Sequence, residues 1–171
     1  MGNIFIKKFK LLKDDGCEIV TIVNQFSTNE KTTTQIIKQE LHKDVYEILK
    51  KLAPIVRDIY QLDKEYPKDI ATGELLNLAV RGVSWSCHEE TGIKGACLTA
   101  LVQLPTTNSP ACLNTPHLPF EPYSEVTGDK EPSTFPSEGK HILRMLEEEI
   151  MLIIGNKRAP SAQTSLFEEA E

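Results

Sequence analysis

The sequence is short of aromatic residues, with one Trp, four Tyr and six Phe among 171 residues. Ring-stacking platforms are therefore scarce, and each aromatic is first a candidate for the core. Also missing is any run of the roughly 18 to 20 apolar residues that a membrane helix needs. Residues 1–13 interleave Lys with apolar residues instead of separating a charged stretch from an apolar one, as a secretion signal does. The expectation is a cytoplasmic protein without a membrane partner.

Four cysteines, Cys17, Cys87, Cys97 and Cys112, lie at irregular spacings. A chain of this length can bury one core without covalent staples, so reduced thiols are expected. No Gly-rich phosphate loop, Gly-x-Ser-x-Gly elbow or His-Glu-x-x-His pair occurs, which argues against the enzymes that depend on those devices. A non-enzymatic protein with no cofactor is expected.

The formal net charge is −6, and it is unevenly spread. Residues 1–62 carry ten Lys and Arg against eight Asp and Glu, whereas residues 63–171 carry nine against seventeen. Bulk charge thus disfavours strong nonspecific binding to nucleic acid, but leaves room for a local basic strip.

Residues 3–26 read as a β-hairpin, because two runs rich in Ile, Val and Phe flank Asp14-Asp15-Gly16. Lys7, Lys8, Lys10 and Lys13 interrupt the first run, as on the polar side of an edge strand. After a polar connection, Ile37, Leu41, Val45, Ile48, Leu52, Ile55, Ile59 and Leu62 recur at helical spacing, with Thr34 as the expected N-cap and Pro54 as a kink or a division. Residues 78–87 and 93–104 form a second expected hairpin around His88-Glu89-Glu90-Thr91-Gly92. The apolar parity changes at Gly82, which predicts a bulge, and the second strand has apolar residues on both faces, which places it centrally.

Seven of the ten prolines fall within residues 105–136, so this stretch is expected to be an extended surface loop with one short strand near Ala111–Leu113. Ser137 is the expected cap of an amphipathic helix that stops at Gly155. The expected fold is α+β, an antiparallel sheet of four to six strands packed by one long helix and a C-terminal helix, with room for barrel-like, OB-like curvature. Residues 1–158 form the expected domain and residues 159–171 a flexible acidic tail.

Within the domain, chemistry is thinly signalled. Cys87, His88, Cys97, Cys112 and His117 suit zinc by type, but their spacing does not pair ligands as structural zinc sites do, so no metal is expected and the thiols read as buried small hydrophobes. Glu147, Glu148 and Glu149 point in three directions around one helix and read as a solvated face. Lys7, Lys8, Lys10, Arg81 and Trp85, with Phe5 and Phe9, could together serve single-stranded DNA if their strands are neighbours. For the three aromatics, core packing is the competing and heavier expectation.

The tail is the most informative feature. It reads Ala162-Gln163-Thr164-Ser165-Leu166-Phe167-Glu168-Glu169-Ala170-Glu171, two large apolar residues in an acidic stretch. Such a pair in a coreless segment suits a peptide that becomes ordered in a partner's groove. Gln163, Ser165, Leu166 and Phe167 resemble the sliding-clamp-binding peptide of bacterial polymerases and repair proteins, and Thr164 departs from the Leu usual there. The resemblance covers five residues. It implies that Leu166 and Phe167 anchor in an apolar pocket of the clamp and that Gln163 makes polar contacts at its rim. The order of parts, a Trp-containing hairpin, Leu113-Asn114-Thr115-Pro116, a helix and then this tail, is similar to small uncharacterised proteins of bacteriophages and prophages. Together these imply an accessory protein of DNA replication, recombination or repair. The alternative is a self-assembling phage module, a homo-oligomer that sequesters a host protein or a small signalling ligand.

Overall fold

The computed structural model describes residues 4–14, 16–60, 78–103, 109–121 and 134–155. The tail carrying Gln163, Ser165, Leu166 and Phe167 lies outside the described residues, as do parts of the proline-rich stretch.

The described chain runs β1 (Ile4–Leu11), β2 (Cys17–Val23), β3 (Lys31–Ile37), α1 (Lys43–Tyr60), β4 (Leu78–Cys87), β5 (Lys94–Gln103), β6 (Pro110–Asn114), β7 (Leu118–Pro119) and α2 (Ser137–Ile154). The strands form one seven-stranded antiparallel sheet in the order β3-β2-β1-β4-β5-β6, with β7 also paired to β5. It is an α+β fold, as expected, and the sheet remains open because β3 and β6 end the path without pairing to each other.

Alternation along the strands sorts the residues by face. Phe9 stands opposite Ile19 on one side and Val83 on the other, and Val83 stands opposite Leu98. All four are buried, and they join Trp85, Ala96, Ala100 and Val102 in a single core with the apolar sides of both helices. From α1 come Val45, Leu49, Leu52, Ile55 and Val56, and from α2 Leu143, Leu146, Ile150 and Ile153. The helices run antiparallel. Near one end, a Cβ placed on Gly139 of α2 would meet Ile55 Cγ2 of α1 at 3.1 Å, and near the other, Glu149 comes close to His42 and Asp44. A Cβ at 139 would stand closer still to the Phe135 ring, so the glycine seats that ring as well as letting α1 approach.

The β1–β2 hairpin turns through Gly16 at φ +117°, a conformation that L side chains rarely adopt. The predicted irregularity in β4 is present as a register shift between Val80 and Gly82, and a second one interrupts β1 between Ile6 and Lys8. β5 is central, flanked by β4 on one side and by β6 and β7 on the other.

Several expectations fail for identifiable reasons. Thr34 caps no helix; it sits within β3 opposite Val20. The run Lys31-Thr-Thr-Thr-Gln-Ile-Ile is rich in β-branched residues, whose stiff side chains suit a pleated surface better than a helix end. The helix starts later, after His42, whose carbonyl accepts the Val45 N–H and whose Nδ1 accepts the Asp44 N–H. Of the two outcomes expected at Pro54, division does not occur: α1 is helical through it and the same apolar stripe packs onto the core on both sides. Ser137 is the first residue of α2 rather than its cap; Pro136 holds that position and no side chain caps the helix. β1 is an interior strand between β2 and β4, so its lysines block no edge. The sheet has seven strands against the four to six expected, because β3 and the two-residue β7 resemble connections in sequence.

Candidate functional site

Four groupings could carry chemistry, three set by the sheet and one by the two helices. The first is the sheet face opposite the helices. Register places Lys8 between Val20 and Ser84, and Lys10 between Glu18 and Gly82. Lys8 and Lys10 therefore project on the same face, away from Phe9 and the core. Lys8 Nζ lies 3.4 Å from Glu18, which offsets part of its charge. Ser84, Cys97 and Thr99 continue this face, and Thr99 Oγ1 donates to Asn114 Oδ1 at 2.8 Å. The surface thus mixes two cations and several hydroxyls with the apolar Val20 and Ile36.

The other residues proposed for nucleic acid are dispersed. Lys7 occupies the β1 bulge and is exposed. Arg81 occupies the β4 bulge, donates to the Leu12 carbonyl at 2.8 Å and lines a cleft with Tyr46 of α1. Trp85 is 3% exposed and Phe9 fully buried, so both follow the core expectation. Phe5 is half-buried, packs against the core and carries Lys94 Nζ over its ring at 5.9 Å. Lys8 and Lys10 are thus the pair the fold brings together.

The second grouping joins Ser86 of β4 to His117, which lies between β6 and β7. Ser86 Oγ and His117 Nε2 are 2.6 Å apart. The imidazole reaches Ser86 only because residue 95 is glycine: a Cβ there would stand 2.6 Å from Nε2 and 2.8 Å from the Leu118 carbonyl. A serine bonded to imidazole is the first half of a nucleophile–base arrangement. Here both groups are exposed, and the bond holds the chain before β7 against the sheet.

The third is a cleft of about 430 Å³ between α2 and the chain after β7. Lys94, Lys140 and Arg144 bring positive charge to it, His141 an imidazole, Glu121 and Glu147 carboxyl groups, and Phe120 and Leu143 an apolar floor. Lys140 Nζ donates to the Phe120 carbonyl at 3.1 Å, and Phe120 packs edge-on against Phe135. Burial pushes the Glu147 carboxyl above its ordinary range; Lys94 and Arg144 pull it back, and Glu148 adds to the rise. Sequence reasoning missed this cleft. The spacing of Lys140 and Arg144 by one helical turn was visible, but Lys94 and Phe120 meet them only through the pairing of β5 with β7.

The fourth is the trio His42, Asp44 and Glu149, whose ligand-capable atoms lie within 4.8 Å of one another. Glu149 is buried between the helices at 7% exposure, which corrects the expectation of a solvated acidic face; Glu148 alone of the three is exposed. His42 Nδ1 is 3.1 Å from Asp44 Oδ2, to which it donates only when that nitrogen carries the ring hydrogen, whereas acceptance of the Asp44 amide needs the same nitrogen bare. Either state fastens the start of α1.

All four cysteines are free thiols, as expected, but only Cys17 is buried, and Cys112 is exposed. The reading of Cys87, Cys97 and Cys112 as buried small hydrophobes therefore fails, since the first two are half-buried and the third is exposed. No helix among the described residues is long and apolar enough to cross a membrane. No protein-family model, no curated protein and no solved structure matches the chain.

Proposed function

We propose that this protein is a non-enzymatic accessory factor of DNA replication, recombination or repair, encoded by a phage or another mobile element, that docks on the bacterial sliding clamp through its C-terminal segment. The observation carrying this reading is the sequence Gln163-Thr164-Ser165-Leu166-Phe167 beyond the last helix. Leu166 and Phe167 supply the anchors and Gln163 and Ser165 the polar contacts. The fold is compatible with such a division of labour, because the described core is completed by Leu143, Leu146, Ile150 and Ile153 of α2. Lys8 and Lys10 on the sheet face opposite the helices add a contact for the phosphates of single-stranded DNA.

The test is a pull-down with purified bacterial sliding clamp. The full chain is retained, and Leu166→Ala combined with Phe167→Ala abolishes retention. Equal retention of that double variant refutes the reading.

A second reading is favoured by the mixed-charge cleft beside α2: a self-assembling module that holds a small signalling ligand or a host protein segment. A free tail is clipped near Arg158 by trypsin without a change in assembly size, whereas a tail packed on a neighbouring subunit resists cleavage or changes assembly when lost.

A further inference from the structure

The two ends of the sheet are built differently. At one end, β6 is five residues long and opens with Pro110, which has no N–H to offer an incoming strand. At the other, β3 pairs with β2 over seven consecutive residues without a bulge, and contains no proline and no acidic residue. Among the described residues nothing pairs with its outer side. Natural sheets usually guard such an edge by shortening, twisting or charging it. The residues of β3 before Ile37 are exposed or half-buried, and Ile36, on the face away from the core, is 56% exposed.

We propose that β3 pairs antiparallel with β3 of a second copy of this chain, across a twofold axis at Thr34. The inference deepens the self-assembling reading by naming its surface, and it stands independently of clamp docking. The strand is complementary to itself in this register. Thr34 meets the partner's Thr34, Thr33 meets the partner's Gln35, and Thr32 places its methyl against the partner's Ile36. Just beyond the strand, Glu30 faces the partner's Lys38, and Lys38 faces the partner's Glu30, so two opposite-charge pairs close the ends. Moving the axis by one residue destroys this match: centred on Thr33, Glu30 faces the partner's Ile36, and centred on Gln35, Lys38 faces the partner's Thr32. A twofold axis uses the same patch on both subunits, so the assembly closes as a dimer instead of growing into a filament. The occupant is a strand because the outer row of amides and carbonyls is satisfied by another strand's backbone.

Sedimentation equilibrium of the full chain decides the matter. The wild type is expected to show a dimer with a dissociation constant below about one millimolar. Thr34→Lys sets two ammonium groups against each other at the axis and leaves only monomer. Lys38→Glu turns both attractive end pairs repulsive and weakens the dimer about tenfold. Glu30→Lys does the same, although it also removes the acceptor of the Phe26 N–H, which is 2.8 Å away. Mixing the two single variants restores a dimer, because each then offers the charge that the other lacks. Circular dichroism of every variant shows the fold retained. A monomer throughout overturns both the inference and the self-assembling reading. A dimer indifferent to Thr34→Lys and Lys38→Glu, or a mixture that fails to recover, overturns the β3 interface alone.

Discussion

The two faces of the sheet use the same strands for opposite purposes. Toward the helices, Phe9, Val83, Trp85 and Leu98 form an apolar layer excluded from water, and one residue along each strand the chain presents Lys8, Lys10, Ser84 and Thr99. Strand geometry alone enforces this division, since successive side chains point to opposite sides. Stability therefore resides on one face, and the other is left for polar contacts.

The largest effect that could break this comparison comes from the covered side. Phe9 is fully buried, so Phe9→Ala should cost about 3–5 kcal/mol, read as a lower denaturant midpoint with an unchanged slope. A loss of under about 1 kcal/mol would mean that the ring is not packed as described.

A smaller effect is expected where α2 meets the cleft. Glu147 is raised in the folded state, mainly by desolvation, so the native protein binds its proton more tightly than the unfolded chain does. Its contribution to stability is present below the ordinary glutamate range and is lost as pH climbs through the raised folded value. Glu147→Gln should therefore increase the melting temperature at neutral pH and leave it nearly unchanged at pH 4. An equal change at both values would assign the effect to packing rather than to ionisation.

The smallest stability effect belongs to the side opposite the helices. Lys8→Ala with Lys10→Ala should alter stability by no more than about 0.5 kcal/mol, since exposed charges contribute little. Under the functional proposal the same pair should weaken binding to a fluorescent single-stranded oligonucleotide and flatten its salt dependence. Trp85 sharpens the contrast: its buried indole should keep its fluorescence when the oligonucleotide is added.

These contrasts also explain what could be read without coordinates. Both hairpins were legible because Gly16 and the His88–Gly92 turn interrupt alternating runs, and the β4 bulge because parity breaks at Gly82. The Lys31–Ile37 strand was not, because three threonines in a polar setting look like a linker until Cys17–Val23 is available as a neighbour. Leu41 added to the error, since it is buried ahead of the helix at a spacing that extends the helical stripe backwards. Of the candidate surfaces, Lys8 and Lys10 on a common face followed from alternation. The cleft beside α2 and the Ser86–His117 bond join segments distant in sequence, and no local pattern announces them.

The closing position of α2 sets an order of events during synthesis. Leu143, Leu146, Ile150 and Ile153 are the last apolar groups in the described core, so a nascent chain that has not reached residue 137 holds a finished sheet sequence with half its lid missing. Closure of this core must then wait for α2, and a chain cut before residue 137 is expected to leave apolar sheet surface exposed and prone to aggregate.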